Sequence, residues 1–522
     1  MTKRSYDVAV IGFGPSGAVA AGLLGRAGFS TLVIDRDKEV YDLPRAIALD
    51  HEIIRLFDNM GLLAEVLPYT APFTASEHFG ASGQLIRRID MVPPPWPMGY
   101  TPSLVFSQPP VEALLRRHAS AQESVTVRLG TTLVGIEQDE DGVILQLRAE
   151  SGGEESVRVG QAIACDGASS FVRRSLGIRF EDLGFDEPWL VVDLLLTAGT
   201  PNSLPKTSAQ FCNPVRPTTY ILGPGDHRRF EIMLLPGEDP KEMQREENVW
   251  RLLTPWVTPE SARLWRAASY RFHALVAAEW RRGRVFLAGD AAHQQPPFIG
   301  QGMCQGLRDV SNLVWKLTAV RDGAAPALLD SYAEERSQHV RTLTGRIKAI
   351  GRQICERDPE AARRRDEALL AGNGGRAPVV TRQDIVPPLE TGFLDAIPHP
   401  ARGTLFPQPL VDGPSGPVLM DARAGTGWRL VLARDVAVPA DLPGELRVLR
   451  LPPPDGVSGP CTVLSEQDHV LADWFGRHGV IAALVRPDHY VFGTAGDQLA
   501  LEALVRRFAG RLHPETVAQE IA

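Results

Sequence analysis

Residues 8–35, VAVIGFGPSGAVAAGLLGRAGFSTLVID, constrain this chain more than any other stretch. An apolar run at 8–11 meets Gly12, Gly14 and Gly17. An Ala/Leu-rich segment follows, and a second apolar run at 31–34 ends on Asp35. The order reads as strand, tight turn, helix, strand. The three glycines have separate jobs: the turn itself, close backbone approach to a pyrophosphate, and tight packing of helix on strand. Pro15 and Ser16 open the helix, whose free N–H groups and positive dipole end would face phosphates. Asp35 stands 18 residues after Gly17, where an acid accepts hydrogen bonds from ribose hydroxyls. A lone glycine motif is weak evidence. With both strands and the terminal acid, it predicts an adenine dinucleotide site.

A chain of 522 residues buries a large core, and the length prior is roughly two to four domains. Net charge is −8, which gives no reason to expect a nucleic-acid partner. The arginines at 363–365 and 281–284 have acids close by and read as solvated faces. Five cysteines are scattered singly with no CxxC pair, arguing against a disulfide framework or a zinc site; no metal is expected. No apolar run is long enough to cross a bilayer, and the uncharged stretch at 91–111 is broken by prolines. Residues 1–4 lead straight into the first strand and leave no room for a signal peptide. A soluble, cytoplasmic protein is the expectation.

The nucleotide-binding elements return late, around 162–176 and 284–317. Between them lies a strand-rich insertion, 180–275, whose clearest unit is a hairpin across Gly223, Pro224, Gly225 and Asp226. After Ser331 the chain reads as charged helix to about Glu367, and the Gly/Pro-rich stretch 372–409 resembles a linker. Beyond it, strand-like runs at 428–432, 445–449, 482–485 and 491–492 alternate with helical segments such as 498–508, which suits a small α/β domain.

Two further motifs bear on the ligand. Asp166-Gly167 sits at a strand-to-helix transition, within ACDGASSFVRR. Gly289-Asp290 ends a buried run within VFLAGDAAH, followed by PPFIGQGMCQG, in which Gly300, Gly302 and Gly306 make a permissive loop. Asp290 is well placed for polyol hydroxyls, and the helix after the loop would aim N–H groups at whatever lies there.

In order and separation these motifs resemble those of the group A flavoprotein aromatic hydroxylases, and look like the 3-(3-hydroxyphenyl)propionate hydroxylase branch, which shades into polyketide and resorcinol-type hydroxylases. The segment LPRAIALD from Leu43, the stretch 214–237 and the GQGM loop narrow it to that branch. The likeness is strong over 6–345 and weaker from Gly403. It implies an α/β fold: a Rossmann-like FAD-binding domain (1–179 and 276–345), an inserted β-rich substrate domain (180–275), a helical segment and linker (346–402), and a thioredoxin-like C-terminal domain (403–522).

The resemblance also implies FAD as cofactor, NADH or NADPH as co-substrate, and O2 addition to give a flavin C4a-hydroperoxide that attacks a phenolic ring. Position by position, Asp35 and Arg36 would lie at the adenosine side, with Arg36 not readable as an NADPH selector. Arg45 would meet the flavin side, Gln108 and Asp166 would line the FAD site, and Gly289 and Asp290 would hold the ribityl or pyrophosphate. Pro297 would sit at the reactive edge of the ring, with Gly300, Gly302 and Met303 at the isoalloxazine. Substrate contacts would come from the insertion, with Arg216 and Tyr220 as candidates. Both are equally readable as sheet surface, and no phenol base is identifiable. A homodimer is a family-level expectation.

Other residues have duller readings. His293 beside the Gly-Asp loop reads as a structural hydrogen-bonding group. Cys304 and Cys165 read as small packing residues. Without a CxxC, the C-terminal domain reads as structural. A halogenase is disfavoured, since no lysine lies between Lys38 and Lys206. The alternatives are a tailoring oxygenase of a polycyclic polyketide, by hydroxylation or Baeyer–Villiger insertion, and a non-catalytic FAD-binding protein.

Overall fold

The computed structural model describes residues 5–514 except 198, 200, 202, 434–435 and 453–460. Residues 1–4, which bear on the leader question, lie outside the described set. The strand Ser5–Ile11 is apolar along most of its length because it is covered on both faces. It pairs in parallel with Thr31–Asp35 on one side and Glu154–Ala164 on the other. Val125–Leu129 and Val285–Leu287 extend this parallel core outward. Strand order reverses around Ser5–Ile11, so the carboxyl ends of the strands open a crevice there, the usual ligand position in such sheets. The helices Pro15–Arg26 and Gly302–Arg321 pack against each other and both begin at that crevice.

A second sheet stands over the crevice. Its long strands, Phe180–Leu196 and Ala262–Ala277, pair antiparallel and continue through His227–Met233, Thr218–Leu222 and Ser208–Phe211. The sheet is not confined to the 180–275 insertion. It also recruits Ala75–Phe79, Leu85–Asp90 and Val379–Thr381. Backbone donors left open on the edge strand Ser208–Phe211 need partners wherever in the chain they come from.

The 372–409 stretch is not a free linker. Leu389, Phe393, Leu394, Ala401 and Phe406 are buried, and Val379–Thr381 is a sheet strand. Its glycines and prolines shape an irregular path that is nevertheless packed.

The C-terminal unit carries a five-stranded sheet. Arg429–Leu432 and Arg447–Arg450 run parallel, while Ala482–Val485 and Val491–Ala495 run antiparallel, with the helices Val470–His478 and Gln498–Leu512 packed on it. That mixed order agrees with the expected thioredoxin-like α/β domain. No helix of the described residues is long and apolar enough to cross a membrane.

Candidate functional site

At the crevice the glycines do what their spacing demands. A Cβ on Gly12, whose φ is +96°, would stand 2.4 Å from the Cys165 carbonyl oxygen. A Cβ on Gly17 would stand 2.0 Å from the Gly12 carbonyl. Beside Gly14 there is open space, as close approach of a ligand requires. Gly14 caps the helix Pro15–Arg26 without a side-chain bond, leaving its first N–H groups aimed into the crevice. Ser16 fits between Gly289 and Gly306, where an added Cβ would come within 2.9 and 2.4 Å of its hydroxyl. The helix start is thereby locked to the Gly-Asp loop.

Asp35 ends its strand beyond the turn and accepts hydrogen bonds from the Phe13 N–H at 2.6 Å and the Asp37 N–H at 2.8 Å. Arg36 points into solvent. On the far wall, the Ala46 N–H donates to Gln108 Oε1 at 2.6 Å, tying the 43–46 segment to the helix Gln108–Ser120. Arg45 extends from that segment over the Tyr41 ring, and its charge reaches Asp290 across the crevice. The Asp290 carboxyl is exposed to the crevice, yet the surrounding protein desolvates it. Its pKa is raised by burial, with His293 and Arg45 pulling the other way.

Asp166 is raised too, chiefly by burial. Its Oδ2 accepts from the Val172 N–H at 3.0 Å, while its buried Oδ1 has no partner among the described residues. The Gly-Asp loop is anchored from behind by Asp309, which accepts from the Gly289 N–H at 2.9 Å, Arg336 at 2.9 Å and pairs with His293 at 2.8 Å. His293 is therefore the structural group expected. Asp309 and Arg336 were not singled out from sequence, and one signal existed: charged residues on otherwise apolar faces of long helices.

The 297–300 turn closes with the Gly300 N–H donating to the Pro297 carbonyl at 2.6 Å, and Gly302 opens the next helix beside free space. No side chain caps that helix. Met303, partly buried, packs on the core of the first domain. Cys304 is buried, its thiol pushed up to about 12 by burial, so it is a packing residue rather than a thiolate.

Of the two insertion candidates, Tyr220 faces away from the crevice and Arg216 is held in an ion pair. Tyr220 is fully buried on the sheet's far face, packed with Phe230 and near Trp256. Arg216 is held by Glu238 at 2.7 and 2.9 Å and by the Met233 carbonyl at 3.0 Å. Strand alternation decides this: residues next to Tyr220 point the other way. On that other face, Trp189, Phe272 and Phe298 form an aromatic wall with centroids 5.4–6.0 Å apart. A transverse row of polar residues crosses the same face: Arg87, His78, Gln210, Thr219 and Glu231, each paired with the next. Arg229 and Arg266 reach from this face to the carbonyls of Arg45 and Pro44, at 2.6 and 2.5 Å. The sheet therefore roofs the crevice between the 43–46 segment and the 297–300 turn.

Two helix N-termini, open space at Gly14 and Gly302, and an orphan carboxyl oxygen on Asp166 fit a bound dinucleotide with a polyol linker. Comparison with known proteins agrees. Residues 5–346 match the FAD binding domain family, and 403–510 match the HcaD C-terminal domain. The chain is 34% identical to a probable NADH-specific resorcinol 4-hydroxylase of Rhodococcus jostii (strain RHA1), covering 98% of this chain and 96% of that protein. It is 33% identical to a 3-(3-hydroxy-phenyl)propionate/3-hydroxycinnamic acid hydroxylase of Mycobacterium sp. (strain JLS), covering 97% and 92%. Among solved structures, the flavin-dependent monooxygenase PieE, in complex with FAD and substrate, superposes with a TM-score of 0.79 at 21% identity, covering 98% of this chain and 99% of that one. The p-nitrophenol 4-monooxygenase PnpA from Pseudomonas putida DLL-E4 does so with a TM-score of 0.65 at 26% identity, covering 73% and 97%. With the family match spanning most of the chain and relatives aligned nearly end to end, this chain belongs to the group A flavoprotein aromatic hydroxylases, FAD-dependent monooxygenases.

Proposed function

We propose that this chain uses NADH or NADPH and O2 to add one oxygen to the ring of a small phenol, of the resorcinol or 3-hydroxyphenylpropionate type. The observation that carries this reading is the roof of the crevice, where an aromatic wall stands beside a row of groups able to bind a hydroxyl. The functions of the relatives point to the same substrate class.

In this reading Gly12, Gly14, Pro15, Ser16 and Gly17 hold the pyrophosphate, and Asp35 and Arg36 lie at the adenosine. Arg45, Gln108, Asp166, Gly289 and Asp290 hold the flavin side of FAD. Gly300, Gly302 and Met303 meet the isoalloxazine, with Pro297 at its reactive edge. Bound FAD supplies the transfer of two electrons from the nicotinamide to O2 and of one oxygen atom to the ring. The protein orients the two partners, and the apolar wall excludes the water that would divert oxygen to hydrogen peroxide. The reading also takes the protein as a cytoplasmic homodimer with no nucleic-acid partner, which light scattering of the purified protein tests for the dimer.

Oxygen-coupled oxidation of NADH and NADPH by the flavin-loaded protein, with hydrogen peroxide quantified, checks the function. Resorcinol or 3-(3-hydroxyphenyl)propionate is expected to stimulate turnover with little peroxide and yield a product heavier by one oxygen. Stimulation by polycyclic phenols alone would move the reading to a tailoring oxygenase. Stimulation by none would leave a non-catalytic flavoprotein.

A further inference from the structure

On the roof of the crevice one carboxyl stands without a donor. Glu231 is 3% exposed, and no hydrogen bond to its carboxyl is found among the described residues. Directly opposite it are Thr219 on one neighbouring strand and Val191 on the other. Val191 packs in the cluster that holds Met233, Trp189, Phe298 and Ile299. Opposed residues share a face, so Glu231 points to that side of the sheet. Its strand neighbours Phe230 and Ile232 go to the far face, in the cluster with Tyr220. Along the strand, Arg229 precedes it and bonds the Arg45 carbonyl, while Met233 follows it and packs with Phe298. Glu231 therefore lies midway between the segment that bears Arg45 and the turn that bears Pro297.

The charged groups facing it are Arg229 on its own strand and Asp193 on the next. Arg229 donates through Nε to Asp193 at 2.7 Å and through Nη1 to the Arg45 carbonyl at 2.6 Å, and its buried Nη2, which has no partner among the described residues, makes no hydrogen bond to Glu231. Beside Glu231, Thr219 donates to Gln210 at 2.5 Å, so this hydroxyl too is turned elsewhere. A buried carboxyl left without a donor is costly, and such groups persist where a ligand completes them. Burial pushes Glu231 up to about 7, with Arg229 lowering it and Asp193 raising it. A carboxyl in that range can take up and release a proton within one turnover.

We propose that Glu231 accepts the hydrogen bond, and then the proton, of the substrate's ring hydroxyl. The inference rests on the phenol-hydroxylase reading above. As the new C–O bond forms ortho or para to the hydroxyl, the ring supplies the electron pair. The hydroxyl O–H bond breaks, its pair becomes the second bond of a ring carbonyl, and the proton passes to the Glu231 carboxylate. When the ring regains aromaticity, its C–H proton leaves to water and Glu231 returns its proton to the carbonyl oxygen. The carboxylate is thus regenerated, and NADH and O2 are the only reductant and oxidant consumed.

The test compares wild type with Glu231→Gln and Glu231→Asp as flavin-loaded proteins, using resorcinol for turnover and 4-nitrophenol as a chromophoric probe of binding. In Glu231→Gln, kcat should fall by about 10²–10⁴-fold with a smaller change in KM, the range of a general base. Its flavin content should be unchanged, and Glu231→Asp should recover part of the rate. Binding of 4-nitrophenol to wild type should break near pH 7 beyond the probe's own titration, and that break should vanish in Glu231→Gln. An unchanged kcat and pH profile in Glu231→Gln, or its pH break in probe binding persisting, would overturn the assignment. Failure of every phenol to drive wild-type turnover would instead overturn the functional reading itself.

Discussion

The FAD crevice and the junction that docks the C-terminal domain are both lined with buried charge, but they treat it in opposite ways. At the junction Glu335 accepts from Arg486 at 2.7 and 3.0 Å, from Asn312 at 2.7 Å and from Lys316 at 2.9 Å. Asp488 completes the group through Arg486, Asn312 and Trp315. A second knot joins Asp421 to Arg55 at 2.7 and 2.9 Å and to Arg429 at 2.7 Å. Both oxygens of each of these carboxylates are bonded. In the crevice, by contrast, Asp166 Oδ1 and the Glu231 carboxyl have no hydrogen-bond donor among the described residues. Buried charges that only hold a structure together need their partners within the chain, whereas a binding site keeps places open for those the ligand will bring.

Three measurements would break or sharpen this contrast. The largest effect should follow loss of a paired charge at the junction. Glu335→Ala would leave buried Lys316 without a carboxylate and buried Arg486 with Asp488 as its one remaining carboxylate partner, at a cost of about 3–5 kcal/mol in denaturant unfolding. Burial opposes ionisation of Glu335, but Arg486 and Lys316 outweigh it and hold the carboxyl down at about 2, below its ordinary value of 4.5. A depressed acid contributes stability that is complete above its unfolded pKa and is lost as pH falls through the folded one. The wild-type advantage over Glu335→Ala should therefore persist at pH 7 and shrink below about pH 4. A penalty independent of pH would contradict the ion-pair account.

The crevice should show the opposite sign. The folded pKa of Glu231 is raised to about 7 from 4.5, so below pH 4.5 the group contributes nothing either way. As pH rises from 4.5 to 7 the folded state retains a proton that the unfolded chain gives up, and stability declines. Above pH 7 the loss is complete, roughly 3 kcal/mol as an order of magnitude. Glu231→Gln should therefore be more stable than wild type at pH 8 and level with it at pH 4, even while it loses activity. Equal stability at both pH values would show the carboxyl to be better solvated than its burial implies.

The smallest effect separates two glycines in the same turn. Gly17→Ala places a methyl against the Gly12 carbonyl and should cost about 1–3 kcal/mol, with reduced flavin content. The methyl of Gly14→Ala meets no atom of the described residues within 4 Å, so the apoprotein should unfold as wild type does while flavin affinity drops. Equal thermal shifts for the two apoproteins would mean that the turn relaxes more readily than its packing indicates.

The crevice was readable in sequence because its elements are local and their residue choices are forced. Only glycine fits at Gly12 and Gly17, an apolar strand must lead into the turn, and an acid must end the next strand. The roof was not readable in the same way. The resemblance points to the insertion and there to Arg216 and Tyr220, but the hairpin sends Tyr220 to the far face and pairs Arg216 with Glu238. A shift of one residue along a strand exchanges its two faces, and nothing local says which face meets the ligand. The 372–409 stretch misled for a related reason. Glycine and proline signal an irregular backbone, and whether that backbone is solvated or packed depends on partners far along the chain.

The sequence alone determined the dinucleotide-binding core, its family and the class of chemistry, because those depend on short-range backbone geometry and residue size. Only the tertiary structure decided which side chains face the substrate and which charges are left unpaired, because both depend on strand pairing between segments distant in sequence.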